Sequence, residues 1–109
     1  MEGLTAGRIV HYVLRAEDAH SVNRRRDGYA RNRRTDVSEM LEGAQIHVGN
    51  MAREGDHLPM IVIRVWENEF GEGVPGVNGQ VFLDGNDQLW VTSVKFGEGP
   101  GTCHWIEKV

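Results

Sequence analysis

A chain of 109 residues, 39% hydrophobic and 26% charged, supports one domain with one modest core, and its 14 glycines point to turns and away from an all-helical bundle. The net charge of −4 is unevenly spread: Arg24, Arg25, Arg26, Arg31, Arg33 and Arg34 are six of the twelve Lys+Arg residues. Only Asp27 opposes them, which gives this window +5 and leaves −9 for the rest, a basic arm on an acidic body. The longest apolar run, Met60-Ile61-Val62-Ile63, is far too short to cross a bilayer, and the N-terminus lacks a charged-then-apolar leader, so no membrane partner is expected. A single cysteine, Cys103, cannot form an internal disulfide or a thiolate zinc site alone, which fits a reducing cytoplasm.

In chain order, Gly7 to Leu14 is rich in β-branched and aromatic residues and predicts a first strand. Ala16 to Arg26 follows with good helix formers, early acids and late arginines that match the helix dipole, and predicts a short helix. Gly28 and the mutually repelling arginines predict a loop over 27–35. A further helical turn at Ser38 to Leu41 ends at Gly43, so the whole of 16–43 reads as a helical, Arg-rich insertion in a single domain. Ala44 to Asn50 alternates as a weak strand, and 55–59 reads as a turn.

Met60 to Trp66 carries the strongest strand signal, with Pro59 at its entry, where a missing N–H costs least. Glu67 to Gly76 is a glycine-rich loop. Val77 to Leu83 and Gln88 to Phe96 flank Asp84-Gly85-Asn86-Asp87, a cluster suited to positive φ and local side-chain bonds, and together predict a hairpin. A last strand covers Thr102 to Ile106 after a second glycine-rich loop. The expected fold is mainly β (α+β): a small twisted antiparallel sheet or SH3-like β-barrel, partly open, of about five strands with a short inserted helix.

Gly7 to Tyr12, Asn23-Arg24-Arg25-Arg26, Gly43 to Asn50, Pro59 to Trp66, Val77 to Asp87 and Gly97 to Trp105 resemble a family of short accessory proteins of tailed-phage and prophage genomes. The resemblance covers nearly the whole chain. Members of that family usually carry Trp where this chain has Cys103, so an aromatic surface at that position does not carry over from the resemblance. The resemblance implies an origin more than an activity. Small phage accessory proteins that are neither enzymes nor virion parts often act against host immunity, so the resemblance implies a counter-defence role, either covering a host protein or sequestering a nucleotide immune signal, in the cytoplasm of the infected bacterial host.

Guanidinium forks match phosphate oxygens, and aromatic rings near them can stack on a base. The ligand-binding set expected on this reading is Tyr12, Asn23, Arg24, Arg25, Arg26, His47, Trp66, Trp90, His104 and Trp105. A solvated basic face and aromatics packed in the core are the competing readings of the same residues. The five histidines show no His-x-x-x-His pair, and adjacent strand residues Cys103 and His104 face opposite ways, so spacing offers no metal site. His11 and His104 on neighbouring strands form a possible acid/base pair. No catalytic residue or cofactor is assigned. The partner expected is a nucleotide or other phosphate-bearing small molecule, held by a homo-oligomer because so small a domain has little interior for a pocket. The alternatives are an inhibitor that covers a host defence enzyme through Glu67, Glu69, Glu72, Asp84 and Asp87, and an accessory nucleic-acid-binding protein.

Overall fold

The computed structural model describes residues 1–32 and 49–107, the side chains of 28–32 excepted. The expected His47, the weak strand at 44–48 and the helical turn after Ser38 lie outside the described residues. Five strands, β1 (Ile9–Val13), β2 (His57–Trp66), β3 (Gly76–Phe82), β4 (Gln88–Phe96) and β5 (Thr102–His104), form a closed barrel in sequence order, and α1 (Ala16–Asn32) is inserted between β1 and β2. The mainly β barrel with an inserted helix is the fold read from the sequence, here fully closed. Strands that alternate in direction around a ring of five must leave one parallel pair, and this falls at β4–β5, where Lys95 lies opposite Thr102 and Phe96 opposite Cys103. Every other pairing is antiparallel.

Strand alternation decides what is inside. Val10, Tyr12, Met60, Val62, Val77, Val81 and Cys103 are fully buried, and they carry the inward positions of four strands. Gly79 fills another inward position. A Cβ there would meet the Met60 Cγ and Sδ atoms at 2.6 Å, so the methionine packs where a side chain would otherwise be. Two bulges bend the sheet shut around Asn78. The β2–β3 register slips between Val62 and Arg64, and the β3–β4 register slips between Val77 and Gly79. At the second bulge Ser93 adopts φ 52, and its N–H donates to the Asn78 side-chain oxygen at 3.0 Å.

The helix runs past the expected end, through Gly28 to Asn32, although glycine in a helix interior costs about 1 kcal/mol. Tertiary contacts over its first eleven residues anchor it. Asp18 reaches back from the first turn to the Arg15 N–H at 3.0 Å, while Ala19 and Val22 are buried. Asn23 makes a two-way bond with the Ala52 backbone at 2.8 and 2.9 Å. The apolar stripe is narrow, so polar clamps do much of the anchoring. β2 also begins earlier than expected, at His57, because Leu58 and His57 pair with Tyr12 and Val13 of β1 and the predicted turn becomes strand.

Candidate functional site

The expected ligand-binding residues do not converge on one place. Tyr12 points inward, and its hydroxyl donates to Asp18 at 2.6 Å. Burial, then this carboxylate, pushes its pKa well above the usual tyrosine range. Asp18 also accepts from Arg15 Nε at 3.0 Å and Arg15 Nη2 at 2.8 Å. Burial alone would raise the Asp18 pKa, but the bonds from Arg15 and Tyr12 outweigh it and hold the carboxyl below its usual range. Asn23 serves as the backbone clamp on Ala52.

Arg25 and Arg26 meet at Asp87, whose side chain is only 4% exposed, with Nη2 of Arg25 at 3.2 Å and Nη2 of Arg26 at 2.8 Å. Arg26 also donates to the Asn50 carbonyl, and Arg25 to the Gln88 carbonyl at 3.3 Å. The turn that reads in the sequence as mere hairpin punctuation is therefore the anchor for the helix. Burial would raise the Asp87 pKa, and the two guanidinium groups bring it below the ordinary value. Arg24, the next residue back, is exposed.

The tryptophans lie on the outer wall. Trp90 is 49% exposed in β4, and the register sets Ile9 opposite Ile61, Ile61 opposite Gln80, and Gln80 opposite Trp90. This outward row has apolar groups at its ends, a polar amide beside the indole, and exposed Phe82 one outward step along β3. Arg25 holds the Gln88 carbonyl, two residues from Trp90, and two strand residues span about 7 Å. Trp66 lies at the far end of β2, with the Arg64 guanidinium 4.3 Å from its ring centroid. Trp105 is half-buried, between Phe96 at 5.7 Å and Arg8 at 5.3 Å.

His104 belongs to a group that sequence spacing did not bring out. His11 and His104 are direct cross-strand partners in β1 and β5, and His57 of β2 sits diagonally across from His11. The three rings lie edge to face, with centroids 5.0, 5.6 and 6.5 Å apart. Burial lowers the His104 pKa first, and the neighbouring His57 and His11 lower it further. Cys103 points the other way, into the core, and burial pushes its thiol up to about 12. The signal available in the sequence was the outward parity of His11 and His104, while His57 was hidden in what reads as a turn. A hollow of about 250 Å³ adjoins the cluster, lined by His57, Leu58, Leu83, Asn50 and Arg26 among others.

Compared with protein-family models, curated proteins and solved structures, the chain finds no match.

Proposed function

We propose that the protein is a phage counter-defence binding protein that sequesters a nucleotide immune signal intact on the outer wall of its barrel. The observation that carries this reading is the half-exposed Trp90 indole beside Gln80, two residues along β4 from the carbonyl held by Arg25. An indole face suits a base, an amide can read a base edge, and the Arg25 guanidinium, shared with Asp87, holds a carbonyl about 7 Å along the strand, with the exposed Arg24 next to it in the chain. The phage origin rests on the resemblance of the sequence runs alone. Trp66, with the Arg64 guanidinium over one face of its ring, offers its other face to another base of a cyclic or linear oligonucleotide signal.

All five strands have two neighbours, so a homo-oligomer would form through outer faces and not through a free sheet edge. Titration of a panel of cyclic and linear nucleotides by calorimetry, followed by recovery of the ligand after heat denaturation, tests the reading. Saturable heat and unchanged ligand support sequestration; an altered product marks an enzyme instead, and absence of heat across the panel refutes nucleotide binding. Charge reversal at the exposed Glu67, Glu69 and Glu72 leaves nucleotide binding in place on this reading. The same change abolishes activity if the acidic body covers a host enzyme.

A further inference from the structure

We infer that His11, His57 and His104 form a three-imidazole site for a borderline divalent cation, Zn²⁺ foremost, with one coordination position left open. The three residues are 46 and 47 positions apart in sequence, and strand pairing alone brings them together on the outward side of β5, β1 and β2. One ring nitrogen from each lies within 4.8 Å of the other two. Three nitrogens around tetrahedral zinc, each at 2.0–2.1 Å, stand about 3.3 Å apart, so small side-chain rotations close the gap. His57 is exposed at the start of its strand, so its ring has solvent on one side into which it can turn.

A second observation points the same way. Nδ1 of His104 is shielded from solvent and has no hydrogen-bond partner among the described residues. A buried ring nitrogen in that state is costly, and a metal ion on the cluster would satisfy it or fix the tautomer in which its partner nitrogen ligates. Among the described residues the cluster consists of imidazoles without a carboxylate. That donor set suits Zn²⁺, Co²⁺, Ni²⁺ or Cu²⁺ and disfavours Mg²⁺ and Ca²⁺, which take oxygen ligands. Three protein ligands leave a tetrahedral ion one position for water or for an anionic group, and His57 also borders the hollow that reaches Arg26. The inference does not depend on nucleotide capture at Trp90.

The test uses the untagged full chain, stripped with a chelator, titrated with Zn²⁺ by calorimetry and with Co²⁺ by visible absorption. One Zn²⁺ per chain is expected, with the intense visible bands of four-coordinate Co²⁺ and a thermal midpoint raised by Zn²⁺. His57→Ala, at an exposed position, and His11→Gln should each weaken Zn²⁺ binding at least about 100-fold and erase the Co²⁺ bands. His20→Ala, at an exposed helix position outside the cluster, should change neither. No stoichiometric Zn²⁺ binding, or binding equally tight in His57→Ala and the unaltered chain, would overturn the inference.

Discussion

Replacing Asp87 with alanine removes the carboxylate that joins the helix to the β3–β4 hairpin. Asp87 is 4% exposed and the Arg26 side chain 10%, so the pair is largely shielded from water. The loss leaves the Arg26 charge in that setting without its carboxylate, and breaking one side of a buried pair costs about 3–5 kcal/mol. Arg25, a third exposed, adds less than about 1 kcal/mol. Arg26 keeps its bond to the Asn50 carbonyl, which places the expected loss near the lower end, about 3 kcal/mol. In a domain of this size that lowers the thermal midpoint by about 12–20 °C. Urea unfolding followed by circular dichroism and tryptophan fluorescence measures it. Removing both charges with Asp87→Ala and Arg26→Met should recover about 1–2 kcal/mol relative to Asp87→Ala alone, because the unpaired cation is gone. A single variant within 1 kcal/mol of the unaltered protein, or a double variant worse than the single by the full cost of Arg26→Met, would refute the buried-clamp reasoning.

Tyr12→Phe removes a buried bond to an ionised carboxylate and should cost about 1.5–3 kcal/mol in the same urea assay, with the fold retained. Ser93→Gly relieves a positive φ at the second bulge and should be neutral or stabilising by up to about 1 kcal/mol, whereas Ser93→Val should destabilise. Cys103, with its thiol pushed up to about 12 and no exposed surface, should react with a thiol reagent at pH 8 only as fast as the protein opens, and readily once unfolded in urea. Asp18 and Asp87 bind protons less readily folded than unfolded, so their contribution is complete above the unfolded carboxyl range and is lost as pH falls through their lowered folded values. Thermal midpoints should therefore drop below about pH 4, and the drop should shrink in Asp87→Ala.

The fold was legible because local signals agreed with it. The β-branched apolar run at Met60 to Trp66 and the two arms around residues 84–87 mark strands whose inward residues the barrel buries. Helix length was not legible. Gly28 and the arginine run argue for a stop, and the anchor nearest to it, Asp87 on Arg26, lies 61 residues away along the chain. Likewise, nothing local distinguishes Asp87 as an anchor from the same residue as a turn former. Bulges at Ile63 and Ser93 carry no composition signal, since Asn78 supplies the bond that supports the second from another strand. Of the candidate site, the exposed tryptophans could be named but not their faces, and Tyr12 and Asn23 turn out to be fixed by Asp18 and Ala52. His57 joins His11 and His104 only through the pairing of β1 with both β2 and β5, which spacing along the chain does not encode.

The most direct measurement is a calorimetric titration of the unaltered chain and Trp90→Ala with the nucleotide panel, with each bound ligand recovered and identified. Trp90 is half exposed on the outer wall, so the substitution should leave thermal stability nearly unchanged. Base stacking is worth about 1–3 kcal/mol, so binding to the unaltered chain should be saturable and about 5- to 150-fold tighter than to Trp90→Ala, with the ligand released intact. Equal affinity in the two proteins, or no binding by either, would contradict capture of a nucleotide at Trp90.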